Sequence, residues 1–291
     1  MFNVASGATN GVDLLVSAIL THSYWEYGNW GTLVKTGSGK MVLTEANLYQ
    51  GETTISAGTL LVNNAGSIGV SGFPVTVHAG GHFGGTGMIN RNVNVQTGGF
   101  LKPGSGDGTP GTLVVNGSLS LAGTTLMELN KSLTPSNDVV VVANALTCGG
   151  TLSVTNIGPA LALGDSFKVF SKAGGGAFGT IELPLLSAGL GWTNKLAVDG
   201  SIAVIQSVSL VPTIIAAQVG DDDLTLSWPL DHTGWRLQAQ TNSGSVGIGP
   251  NWLDVPGSAG TNRWLVPIDM LNGSVFFRLA YPQGKARQPC K

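Results

Sequence analysis

Side chains that could perform nucleophilic chemistry are few in this sequence. Gly164-Asp-Ser-Phe167 places a serine in the context of an esterase nucleophile. A serine needs a positioned histidine to remove its proton, and the sequence has no Asp-x-x-His segment to supply one. Gly37-Ser-Gly-Lys40 lacks both the upstream glycine and the final serine or threonine of a phosphate-binding loop. The first motif therefore predicts a turn before a strand. The second predicts part of a repeated sequence pattern.

Metal ligands are also sparse. His78 and His82 are close enough to share a zinc ion, but the sequence offers no evident third ligand. Three consecutive carboxylates lie in a turn before a strand, and such oxygen ligands suit calcium. They belong to Asp221, Asp222 and Asp223. The alternative is a solvated turn whose charges keep an edge strand soluble. Asp107, among glycines, is a candidate of the same kind.

An aromatic cluster is the third candidate site. It consists of Tyr24, Trp25, Tyr27 and Trp30. Flat aromatic surfaces can stack against sugar rings, which predicts a ligand-binding site, whereas the same residues could instead cap the open end of a β-solenoid core. The sequence leaves both interpretations open.

The composition indicates which elements must position these residues. The 291 residues include 44 glycines, only 10% are charged and 42% are hydrophobic, which favours turns and paired strands around a continuous core. The net charge of -2 gives no basic field for nucleic acid. No apolar run approaches the ~20 residues of a membrane helix, and the first residues do not form a signal peptide.

Short glycine-led strands recur along the chain. Examples are Ala57-Gly-Thr-Leu-Leu-Val-Asn63, Pro110-Gly-Thr-Leu-Val-Val-Asn116 and Gly149-Gly-Thr-Leu-Ser-Val-Thr155. Strands this short need neighbours above and below to pair their backbones, so the pattern predicts stacked coils. No helical period of ten or more residues occurs from Trp30 to Gln206, and the predicted class is all-β.

The pattern changes near Gln206, where a tryptophan-rich stretch begins. We predict a β-solenoid over residues 1–206, a linker over 207–212, a small antiparallel β-sandwich of immunoglobulin or fibronectin III type over 213–282 and a mobile tail over 283–291. The two cysteines, Cys148 and Cys290, are too few for a disulfide framework.

One stretch resembles a known repeat. It comprises Leu33-Val-Lys-Thr-Gly-Ser-Gly-Lys-Met-Val-Leu43, Ala46-Asn-Leu-Tyr-Gln-Gly51 and Thr53-Thr-Ile-Ser-Ala-Gly-Thr-Leu60, and it is similar to the autotransporter-associated β-strand repeat. The repeat pattern is clearest over residues 30–63. The resemblance implies a right-handed β-helix in the passenger region of an exported bacterial protein, associated with the cell surface, adhesion or export. It implies no catalytic residues.

The leading hypothesis is a non-enzymatic secreted or cell-surface module with a structural or adhesive role and a glycan or cell-surface partner. Since the chain starts in mid-pattern, we expect Met1 to be an internal start within a larger exported protein. The alternative is a calcium-dependent hydrolase or lyase that acts on a polysaccharide or a small ester or lactone. That alternative requires charged groups to converge from stacked coils, and the candidates are Glu128, Lys131, Asp138, Asp165 and Lys168. The oligomeric state stays open.

Overall fold

In a computed structural model of the protein, the described residues are 1–9, 11–22, 30–63, 67–69, 72–187, 189–209, 211–269 and 273–281. Within them the chain forms β-strands and two one-turn 3-10 helices, Leu230–His232 and Ser258–Gly260, with no α-helix. The predicted all-β class is therefore confirmed. The chain divides into two compact units, one of residues 1–185 with 192–204 and one of residues 186–191 with the chain from 205 onward.

The first unit is a β-solenoid with three faces, each a stack of parallel strands. Face A consists of β1 (Phe2–Asn3), β3 (Leu33–Thr36), β6 (Thr53–Ile55), β9 (Val75–Val77), β12 (Val93–Val95), β15 (Leu119–Leu121), β18 (Leu146–Cys148) and β21 (Gly175–Gly176). Face B consists of β2 (Leu14–Val16), β4 (Lys40–Leu43), β7 (Gly58–Val62), β10 (Gly81–Gly85), β13 (Phe100–Pro103), β16 (Thr124–Leu129), β19 (Thr151–Asn156) and β22 (Thr180–Glu182). Face C consists of β5 (Ala46–Asn47), β8 (Ser67–Ile68), β11 (Met88–Ile89), β14 (Thr112–Val115) and β17 (Val139–Val142).

The register on face A gives the length of each coil. Leu33 pairs with Thr53, Thr53 with Val75 and Val75 with Val93, so early coils contain about 20 residues. Val93 pairs with Leu119 and Leu119 with Leu146, so the later coils are longer. The extra residues lie in connections outside the ladders, which is why the sequence repeat recurs at irregular spacing.

Alternation along the strands forms the solenoid core. Val75 and Val77 point inward and are fully buried, while Thr76 between them is partly exposed. This is the period of two expected for a strand with one buried face. Inward side chains from successive coils stack into one continuous core, and burying each large aliphatic side chain contributes about 1.5–3 kcal/mol.

The second unit contains two three-stranded sheets. One consists of β25 (Ala216–Val219), β26 (Asp223–Ser227) and β29 (Arg263–Pro267), and the other of β27 (Arg236–Asn242), β28 (Leu253–Asp254) and β30 (Ser274–Ala280). All their pairings are antiparallel. Leu226 of β26, Trp228 directly after that strand and Leu237 of β27 form one buried core. These small antiparallel sheets confirm the predicted fold class, and the immunoglobulin or fibronectin likeness stays a prediction.

A further three-stranded sheet involves residues that precede this sandwich. It consists of β20 (Ser166–Lys168), β23 (Leu190–Lys195) and β24 (Ser201–Gln206), with β24 in the middle and antiparallel to β20. Phe167 and Ile202 face each other across this pairing, and both side chains are buried. The predicted tail over 283–291 lies outside the described residues.

Candidate binding surface

The lysine of the repeat is a structural residue. Lys35 is fully buried, and its Nζ donates hydrogen bonds to the carbonyl oxygens of Thr36 at 2.8 Å, Gly37 at 2.9 Å and Ala57 at 3.2 Å. Burial lowers the pKa of this amine. Three carbonyl partners satisfy its three donors. Lys35 therefore joins the turns of two successive coils and offers no free amine for chemistry.

The asparagine and tyrosine of the repeat are also structural. Nδ2 of Asn47 donates to the carbonyls of Glu45 at 2.8 Å and Ser67 at 2.9 Å, while its Oδ1 accepts the amide of Leu20 at 2.9 Å. The hydroxyl of buried Tyr49 lies 2.7 Å from Oγ1 of Thr53, and burial raises its pKa to about 12. Both side chains satisfy polar groups inside the solenoid.

A buried arginine supports the corner that precedes face A. Arg91 is 3% exposed, and its guanidinium donates to the carbonyls of Tyr49, Gly51 and Phe73. It also lies 5.0 Å from the centre of the Tyr49 ring. A Cβ at Gly69 would overlap the guanidinium, so glycine is required there. This single cation connects three consecutive coils, because its partners precede β6 and β9 while it precedes β12.

Above this support lies an open, uncharged groove of about 500 Å³. We call it the aromatic corner; its lining is Trp30, Gln50, Gly72, Phe73 and Pro74. Trp30 is 49% exposed and Phe73 is 48% exposed. The carbonyl of Trp30 accepts the amides of Gln50 at 2.8 Å and Gly51 at 2.7 Å, which fixes one coil against the next.

The aromatic corner contains one of the four predicted ligand-binding residues. Trp30 is exposed, and its predicted ligand-binding role stays a prediction. Tyr24, Trp25 and Tyr27 lie outside the described residues, so their predicted role stays a prediction. Sequence reasoning missed Gln50 and Phe73. The segment Gly72-Phe-Pro74, an aromatic residue between two turn residues, was the available signal.

The charged residues required by the enzyme alternative are found mainly as separate ion pairs. Nζ of Lys102 lies 2.7 Å from Glu128, and Nζ of Lys131 lies 2.9 Å from Asp165. Lys168 is exposed on β20. Ion pairs of this kind are usual on protein surfaces, where each contributes about 0–1 kcal/mol.

Asp138 differs because it is fully buried. Its two carboxylate oxygens accept the amides of Gly111 and Glu128, each at 2.8 Å. Burial raises its pKa to about 7, against the opposing effect of these hydrogen bonds. Both oxygens are occupied by backbone donors. The side chain therefore stabilises the start and end of the loop between β16 and β17, which an isolated bridge between Leu129 and Asn137 closes.

The predicted metal candidates are scattered. Within the part of the chain that the structure describes, no three His, Cys, Asp or Glu side chains form a group that could hold a metal ion. The ring of His82 stacks on Phe100 at 4.3 Å. The carboxylate of Asp107 accepts hydrogen bonds from Ser105 and Thr109. These two candidates therefore have partners within the protein.

The predicted calcium turn connects two strands of the second unit. Asp221 and Asp222 are exposed, whereas Asp223 is partly exposed and begins β26. The main-chain carbonyl of Asp222 accepts the amide of Ile268 at 3.0 Å, and that of Asp223 accepts the amide of Gly220 at 2.7 Å. Among the described residues, the carboxylates of Asp221, Asp222 and Asp223 are not grouped as a metal site in this structure. Calcium binding there stays a prediction, which a thermal shift with calcium and with chelator would test.

Two further observations concern the described residues. No helix among them is long and apolar enough to cross a membrane. Cys148 is buried and carries a free thiol, while Cys290 lies outside the described ranges.

Comparison with known proteins agrees with this geometry. Residues 33–62 match the family model of the passenger-associated-transport-repeat. The chain is also similar to the adhesin BmaC autotransporter of Brucella suis biovar 1 (strain 1330), with 38% identity over 150 residues. That match covers 50% of this chain and 4% of the adhesin, so the chain corresponds to a small part of its relative. The matched repeat spans β3 to β7, where Lys35, Asn47 and Tyr49 stabilise the coils, so a passenger-associated-transport-repeat forms part of the β-solenoid.

Proposed function

We propose that the protein is a non-enzymatic adhesive module, exported to the cell surface or the extracellular medium as part of a larger protein. The observation that carries this proposal is that the polar and the aromatic side chains occupy different places. The polar side chains of the repeat are buried and bound to backbone groups, while uncharged aromatic side chains are exposed at one corner.

The aromatic corner is the contact site in this proposal. Trp30 and Phe73 provide apolar, rigid faces, and Gln50 adds an amide that can donate and accept hydrogen bonds. Exposed aromatic side chains beside a polar group suit a sugar ring, whose faces are apolar and whose rim carries hydroxyls. The similarity to an adhesin supports a role in attachment.

The test compares attachment by the purified full chain and its variants to a panel of glycans and to whole cells. Trp30→Ala and Phe73→Ala should each weaken retention about tenfold or more, because each removes one stacking face. Trp252→Ala is the matched control, since this tryptophan is also partly exposed but lies in the second unit. Equal retention of all three variants and the parent chain would contradict the proposed site.

A further inference from the structure

Face A presents one outward side chain per coil over five successive coils. We call this row the polar file; it consists of Thr54, Thr76, Asn94, Ser120 and Thr147. Each residue is directly paired with the next, from Thr54 through to Thr147. The file is one residue wide because the face A strands that carry it have three residues with both ends turned inward.

The side chains of the polar file have unused hydrogen-bonding capacity. All five are partly or fully exposed. Across the described residues, none of these hydroxyl or amide groups bonds to another part of the chain. Neighbouring strands lie about 4.8 Å apart, so the file extends over about 19 Å with one polar group per step.

The chemistry of the file indicates its partner. It carries no charge, so it lacks the cations that anionic polymers require. It also has no apolar centre, which a stable protein interface would need. A neutral polymer with regularly repeated hydroxyl groups is complementary to it in both charge and hydrogen bonding. A linear polysaccharide chain has these properties.

The file continues into the aromatic corner. Pro74 directly precedes β9, which carries Thr76, and Gln50 lies just before β6, which carries Thr54. Thr76 therefore follows a groove residue by two positions and Thr54 by four, on the strands that leave the groove where Trp30 and Phe73 are exposed. A ligand that begins in the groove and then follows face A from coil to coil can contact both.

We propose that face A binds a single chain of a neutral linear polysaccharide along the solenoid axis, with one sugar ring stacked in the aromatic corner and the following rings bonded to the polar file. This inference rests on the proposed adhesive function and specifies its ligand.

The experiment measures binding of the full chain to soluble glucomannan, mixed-linkage β-glucan and pullulan, which are neutral and linear, with polygalacturonate as the anionic comparison. The file variant is Thr54→Val/Thr76→Val/Thr147→Val, which removes three hydroxyls while it retains branched side chains suited to strands. The control is Thr124→Val/Thr151→Val/Thr180→Val, which makes the same three changes at paired, partly or fully exposed positions on face B. Thermal unfolding confirms that both variants remain folded.

We expect at least one neutral polysaccharide to bind, with a Kd about tenfold or more higher for the file variant and changed less than about twofold for the control. Polygalacturonate should bind more weakly than the best neutral polymer. If the file variant binds as the parent does while Trp30→Ala loses binding, the file is wrong and the adhesive function stands. If the chain attaches to cells but to no neutral polysaccharide, the ligand class is wrong. If it attaches to nothing, the adhesive function itself fails.

Discussion

Substitution of Lys35 by methionine tests the structural role of the repeat. Methionine retains most of the aliphatic stem but removes the ammonium group that binds the carbonyls of Thr36, Gly37 and Ala57. These carbonyls lie at turns between coils and would lose their donor. If Lys35 were only a surface cation, the substitution would have little effect.

The expected loss follows from the contacts. Each hydrogen bond to a charged donor contributes about 1.5–3 kcal/mol, so three bonds represent a substantial stabilisation. The variant also avoids the cost of removing an ammonium group from water, which offsets part of this stabilisation. We expect the free energy of unfolding to fall by about 2–4 kcal/mol, which corresponds to a decrease in Tm of roughly 5–15 °C for a unit of this size.

Thermal unfolding followed by far-ultraviolet circular dichroism measures the effect. Lys102→Met is the matched control, because Lys102 is 36% exposed and bound only to Glu128, a pair that contributes about 0–1 kcal/mol. Hydrogen exchange should also accelerate at the Gly37–Gly39 turn in the Lys35→Met variant. Equal Tm values for the two variants would refute the structural role of the buried lysine.

Two other predictions concern stability. Because burial raises the pKa of Asp138 from 3.8 to about 7, the folded state holds its proton more tightly, and this residue should lower the free energy of unfolding as pH rises from about 4 to 7. Chemical denaturation should show this contribution as a difference in pH slope between the parent and Asp138→Ala; equal slopes would contradict it. Gly58 has a φ of +64° and an added Cβ would overlap the carbonyl oxygen of Gly37, so Gly58→Ala should cost more than about 2 kcal/mol. Gly80→Ala is its control, since Gly80 has a similar φ of +80° but open space around it, and calorimetry should show about 1 kcal/mol.

Much of the fold could be predicted because local patterns in the sequence determine it. Alternation in segments such as Val75-Thr-Val77 indicates strands with one buried side, and glycine-led turns mark the coil boundaries. The stacking of these short strands follows from their need for backbone partners. A stack of coils in chain order could therefore be predicted from the sequence.

The candidate site was harder to predict, since it depends on register. Trp30 and Phe73 are more than forty positions apart and line the same groove only because the coils stack. Coil lengths vary, so the sequence does not reveal which residues align on face A. The polar file therefore becomes visible only once the strand pairings are known.

The buried cations were also beyond sequence reasoning. Lysine and arginine are usually exposed, and nothing local distinguishes Lys35 or Arg91 from a solvated residue. Each buried cation is held by main-chain carbonyl groups at the coil turns. These carbonyls come close together only when the coils stack. In the same way, Asp138 is a candidate acid in the sequence but accepts two backbone amides in the folded chain.

A single incubation of the purified chain with neutral polysaccharides, in which retention and the release of new chain ends are measured together, separates adhesion from catalysis. Retention should depend on Trp30, and no shorter products should be released. Release of products that follows the protein through purification would contradict this prediction and would make the chain an enzyme.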